Sequence, residues 1–187
     1  MVRAITCAYV IAAVALKTVP TTQSQSVAPS SPVRLKPSAF PDLPPPVRRY
    51  LERRGCEIPQ TFFGKTPHNV VRGRFTSATQ TDIAVLCSRA GISAILVFRG
   101  GNTSAVAVLA RRSDEGEMQV VGDGFVTGYS RAIGVASPSF IREHAAAYGG
   151  PKPPPLDHDG IDDIFVEKAS VVLYWYRGRW LELQGAD

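Results

Sequence analysis

Thr81-Asp82-Ile83-Ala84-Val85-Leu86-Cys87-Ser88 and Ile92-Ser93-Ala94-Ile95-Leu96-Val97-Phe98-Arg99, separated by Arg89-Ala90-Gly91, decide the fold class of this chain. Both runs are apolar and rich in β-branched residues, and a short glycine-bearing turn joins them. Two such runs form paired antiparallel strands. The pattern continues on both sides. It is β-like from Val70. A turn at Gly100-Gly101-Asn102 leads to a third strand at Ala105–Ala110. A turn at Asp114-Glu115-Gly116 then leads to a fourth at Met118–Val121. Asp114, Glu115 and Glu117 read there as a solvated cluster. Near the end, Ser170–Tyr176, Arg177-Gly178 and Arg179–Leu183 spell a second tight hairpin.

Two helices flank this β pattern. Pro46 suits a first helical position, Val47, Tyr50 and Leu51 share one side, and Gly55 ends the helix. Ser137-Pro138 opens a second helix with a Ser cap, running Phe140–Tyr148 and stopping at Gly149-Gly150. The expected fold class is therefore α+β, predominantly antiparallel β with two short flanking helices, and not a full propeller.

The N-terminal part has a different character. Met1-Val2-Arg3 precedes an apolar segment, Ala4–Leu16, that is too short to span a bilayer. Residues 1–26 read as a signal peptide, 27–45 as a Pro/Ser-rich linker and 46–187 as a single β-rich globular domain. Cys7 has no lipobox around it. The expected location is secreted or periplasmic, with no stable membrane span after signal cleavage. Removing the signal leaves Cys56 and Cys87, which an oxidising compartment would join. The formal net charge of +5 is concentrated in the signal and in residues 29–56, where six basic residues face Asp42 and Glu52. The remainder is nearly balanced, so the chain lacks a basic nucleic-acid face.

Asp157-His158-Asp159-Gly160-Ile161-Asp162-Asp163 gathers four carboxylates around a glycine. Carboxylate oxygens are the ligands calcium requires. Asp157, Asp159 and Asp163 are the candidate ligands, with Gly160 permitting the turn. Catalytic constellations are missing from the sequence. His68, His144 and His158 lie on separate segments, no G-x-S-x-G turn occurs, and Glu143-His144 lacks a second histidine four residues on. In the last hairpin, strand alternation puts Tyr174 and Tyr176 on one face and Trp175 on the other. Trp180 lies across from Trp175. With Arg177, these aromatics form a candidate surface for carbohydrate or protein contact.

Thr81-Asp82-Ile83-Ala84-Val85 lines up with Asp162-Asp163-Ile164-Phe165-Val166, and Ser93–Gly100 with Ser170–Gly178. Through these two pieces the sequence resembles the FG-GAP/VCBS repeats of integrin-like propellers and bacterial secreted proteins. In those repeats a calcium-binding D-x-D-G-type loop precedes a strand of form D-[IL]-x-[VL]. As a whole the chain also looks like small secreted bacterial proteins. The resemblance implies calcium at the second copy alone, because Ser77, Thr79 and Gln80 stand where the first copy would need carboxylates. The functional expectation is a secreted non-enzymatic binding or structural module, with calcium as candidate stabiliser. The alternative is a small extracytoplasmic hydrolase or enzyme inhibitor whose site is assembled by folding.

Overall fold

Ala90 and Gly91 both adopt left-handed backbone, with φ of 50° and 75°. This conformation matches the twist of a two-residue hairpin. The same solution recurs at Arg177 and Gly178, with φ of 48° and 84°. Around these turns the computed structural model describes Met1 and residues 32–122 and 126–187. The signal segment and residues 27–31, apart from Met1, lie outside the described residues.

In chain order the elements are β1 (Arg34–Leu35), α1 (Pro45–Arg53), β2 (Ile58–Pro59), β3 (Val70–Gly73), β4 (Asp82–Arg89), β5 (Ile92–Phe98), β6 (Ala107–Ser113) and β7 (Met118–Val121). They continue with β8 (Val126–Tyr129), β9 (Arg131–Ala136), α2 (Pro138–Tyr148), β10 (Gly160–Phe165), β11 (Ala169–Tyr176) and β12 (Arg179–Gln184). Among the described residues these make two four-stranded antiparallel sheets, β3-β4-β5-β6 and β9-β10-β11-β12, and two two-stranded ribbons, β1-β2 and β7-β8. The fold is α+β, and among the described residues no sheet closes on itself. No described helix is long and apolar enough to cross a membrane.

Alternation along the strands produces four layers. Ile83, Val85, Leu96 and Phe98 turn outward to meet Val47 and Leu51 of α1. Ala84, Leu86, Ile95 and Val97 turn inward and meet Ile133, Ile161 and Leu173 of the second sheet. The outer face of that sheet, through Ala136, Val172, Tyr174 and Leu183, packs on Ile141 of α2. The order is thus helix, sheet, sheet, helix. The two echoing segments occupy the same places, the second and third strands of each sheet, and Asp82 and Asp163 both project inward from them.

The helices begin and end as their cap residues dictate. Ser137 Oγ accepts the Phe140 amide at 3.2 Å, and Gly149 leaves α2 with φ of 79°. Cys56, just beyond α1, is disulfide-bonded to Cys87 of β4 with Cα atoms 5.5 Å apart.

Three expectations are corrected. The segment 32–45 is not a linker. Arg34 and Leu35 pair with Pro59 and Ile58, and Phe40 and Leu43 are buried in the α1 core. Its apolar residues are irregularly spaced, which hides them from any periodic template. The acidic turn is not solvated either. Asp114 and Glu117 are buried, because arginines reach them: Arg34, distant in sequence, to Asp114 at 2.8 Å and Arg112, at the end of β6, to Glu117 at 3.5 Å. Burial pushes the Glu117 carboxyl up, while Arg131 and Arg112 pull it back.

Gly160 is the third correction. It opens β10 rather than bending a cation loop. A Cβ there would lie 2.5 Å from Val172 Cγ1 and 3.4 Å from Ile141 Cδ1. Gly160→Ala is expected to destabilise by about 1–3 kcal/mol, as overpacking of a filled core does. A urea midpoint equal to that of the wild type would show that α2 yields to the added methyl.

Candidate functional site

The acidic loop before β10 and the tip of the β11–β12 hairpin meet at one end of the two sheets. They line a concavity of about 400 Å³ together with Thr76, Ser77 and Ala78. Each wall has a clear cause. Residues 76–78 are shaped by Asp82 at the start of β4. Its buried carboxylate accepts the Thr76 amide at 2.9 Å, the Thr76 hydroxyl at 2.7 Å, Gln80 Nε2 at 2.7 Å and the Gly100 amide at 2.8 Å. A carboxylate with four donors is satisfied in place and fixes the loop around it.

The second wall is the loop before β10. Asp159 ties it to the first sheet: its amide donates to Arg74 O at 2.9 Å, and its carboxylate accepts the Arg74 amide at 3.0 Å. His158 is buried and stacks on Tyr174, with ring centres 4.4 Å apart and planes 14° from parallel. Its Nδ1 lies 3.0 Å from Asp159 O. A carbonyl only accepts, so Nδ1 carries a hydrogen and Nε2 faces Asp157 Oδ1 at 3.8 Å. The Tyr174 hydroxyl accepts the Asp157 amide at 3.2 Å and reaches Asp157 Oδ1 at 3.3 Å. Burial raises the pKa of this hydroxyl, keeping it a neutral donor. The Asp157 side chain itself is 75% exposed, so one carboxylate stands open at the mouth.

The third wall is the tip of the β11–β12 hairpin. Trp175 and Trp180 are cross-strand partners whose rings meet edge to face at 5.5 Å. Trp180 also packs partly against the inner core, and Tyr174 and Tyr176 belong to the α2 side. Each face of the hairpin is therefore partly covered, and the predicted open aromatic face shrinks to Trp175, Tyr176 and Arg177 at the concavity. Sequence reasoning missed Arg99, whose guanidinium lies 3.9 Å from the Trp175 ring centre. Arg177 lies 5.2 Å from that of Tyr176. The signal was present in the echo: Arg99-Gly100 and Arg177-Gly178 end the third strand of each sheet. Both arginines stack on the same aromatic hairpin.

The candidate calcium ligands do not converge. Asp157 faces the opening, Asp159 holds Arg74, and Asp163 points between the sheets. Asp163 receives Arg131 Nε at 2.8 Å and Arg112 at 3.1 Å. A carboxylate neutralised by two guanidiniums is a poor calcium ligand. Among the described residues no group of three or more His, Cys, Asp or Glu side chains could hold a metal ion. The residues present do not fit the cation that the D-x-D-G-type grammar implies. The histidines also serve local roles: His68 Nε2 accepts the Thr61 amide at 2.8 Å, and His144 Nδ1 bonds Phe140 O at 2.8 Å.

The concavity offers one exposed carboxylate, one exposed guanidinium, hydroxyls and aromatic surface. That set can hold a ligand by hydrogen bonds at its edges and apolar contact on its face. No protein-family model, no curated protein and no solved structure matches this chain.

Proposed function

We propose that the protein is a non-enzymatic binding module that takes a carbohydrate at the concavity between residues 76–78, 155–158 and the tip of the β11–β12 hairpin. The observation that supports this is the joining of Trp175 and Tyr176 with the open Asp157 carboxylate and the Arg177 guanidinium around one hollow. Sugars present an apolar C–H face to aromatic rings and hydroxyls to charged acceptors and donors, and this hollow has both complements. The walls are pre-organised by Asp82, Asp159 and Tyr174, which lowers the entropic cost of binding. The Cys56–Cys87 disulfide supports work in an oxidising compartment. The FG-GAP/VCBS resemblance enters this reading through strand placement alone, without calcium.

Titration calorimetry against neutral, acidic and amino-sugar oligosaccharides tests the proposal, with tryptophan fluorescence as a second readout. One class is expected to bind. Trp175→Ala and Asp157→Ala should each weaken it about tenfold, or ~1.4 kcal/mol. Absence of heat and of fluorescence change across the panel, or full affinity in Trp175→Ala, would rule the site out.

A further inference from the structure

A second hollow, of about 310 Å³, lies beside the β10–β11 turn, walled by Phe140, Ile164, Phe165 and Ala169. Asp162 lines it from β10. The same alternation that sends Asp163 inward to Arg131 turns Asp162 outward, toward α2. Asp162 is 8% exposed, and its Oδ1 has no hydrogen-bond partner. Ser170 lies across the strand pair. Its Oγ accepts the Ala186 amide at 2.8 Å, so its own proton is available to Asp162. No ion pair reaches Asp162 among the described residues. Lys168, in the same lining, instead places its ammonium over Phe165, 4.9 Å from the ring centre. Two further carboxylates, Glu167 and Asp187, line the hollow and are exposed.

A buried carboxylate without a counter-ion is costly to the fold. Desolvation pushes the Asp162 carboxyl up, and the Ser170 hydroxyl and His144 only partly pull it back. Groups held in such surroundings inside a hollow mark binding sites more often than random positions do. We propose that this hollow binds an organic cation, a primary ammonium or guanidinium group, with Asp162 as its counter-ion. Phe140, Ile164 and Phe165 take the alkyl stem, while Asp162 takes the charged head. A hard metal ion is the poorer occupant, because it requires six or more oxygens and among the described residues no three acidic, His or Cys side chains gather to hold one. This site is separate from the sugar-binding concavity and does not depend on it.

The test uses the mature protein, amide NMR and calorimetry, with n-butylammonium and agmatine as the two cationic probes and 1-pentanol as the uncharged control. At least one cation is expected to shift the Ser170 and Lys168 amides at millimolar concentration, and pentanol is not. Which cation binds separates ammonium from guanidinium recognition. Asp162→Asn should weaken binding about tenfold or more, while Asp157→Ala should leave it unchanged. The Asn variant keeps the side-chain shape and removes an uncompensated charge, so it is expected to fold. If it does not, the wild-type shift map decides alone. Shifts confined to other surfaces, equal binding by pentanol, or unaltered affinity in a folded Asp162→Asn would overturn the proposal.

Discussion

Arg131→Met is expected to cost about 3–5 kcal/mol of stability, the usual consequence of removing one partner from a buried ion pair. Arg131 is fully buried and grips Asp163 with two parallel bonds, Nε to Oδ1 at 2.8 Å and a terminal nitrogen to Oδ2 at 3.0 Å. The remaining terminal nitrogen donates to Ser93 Oγ at 3.0 Å, and the one that bonds Oδ2 also donates to Ala110 O at 2.6 Å. One side chain on β9 therefore ties the second sheet to β5 and β6 of the first. Methionine fills the space but leaves Asp163 with Arg112 alone, whose side chain is 38% exposed and screened accordingly. The loss also removes one of two guanidiniums restraining Glu117, whose carboxyl burial already pushes up. The folded state then holds the Glu117 proton more tightly than the unfolded state does. Stability is kept at acidic pH and falls as pH rises through the raised value. Urea titrations at mildly acidic and neutral pH should show the larger deficit at neutral pH. The double replacement Arg131→Met with Asp163→Leu should recover most of it, because an apolar pair leaves no charge unpaired. A single variant within 1 kcal/mol of wild type at both pH values would mean that the cluster is hydrated in solution.

This network also marks the boundary of what the sequence makes legible. The hairpins were readable because Ala90-Gly91 and Arg177-Gly178 punctuate apolar runs, and the helices because Ser137, Pro138 and Gly149 are cap residues. β9 was not readable, since its inward positions begin with an arginine, and a polar inward residue breaks the alternation that identifies a strand. The same holds for Asp82, Ser93 and Asp163. Ser93 and Asp163 are buried because Arg131 and Arg112 on other strands satisfy them, and Asp82 because its neighbouring loop folds back on it and Gly100 closes over it. The acidic stretch misled for a related reason. Asp162 and Asp163 are consecutive in a strand and must point to opposite faces, so one pairs with Arg131 and the other turns to the second hollow. The parts of the candidate site were visible as an acidic loop and an aromatic hairpin. The acidic loop meets the hairpin through the register of β10 on β11, but the remaining wall, Thr76–Ala78, was not legible because it comes from the other sheet and is shaped by the bonds of Asp82.

Breaking the disulfide is the second large effect. Cys56 and Cys87 are separated by 31 positions, and opening a loop of that length costs about 3.5–4 kcal/mol in the chain-entropy account. The bridge joins the chain just after α1 to the middle of β4, next to the core formed by Val47, Leu51, Ile83 and Phe98. That helix is only nine residues long, below the length at which a helix is stable by itself. Its order therefore depends on this core and on the covalent tie at its end. Cys56→Ser with Cys87→Ser, or reduction of the wild type, should lower the urea midpoint by the corresponding amount with little change in slope. Amide exchange should rise most in α1 and in the Arg34–Leu43 segment that packs on it, and least in β10–β12, held by a separate core against α2. Uniform loosening of both sheets would instead show that the bridge acts on the whole domain. An unchanged midpoint would show that packing of Val47 and Leu51 alone secures α1.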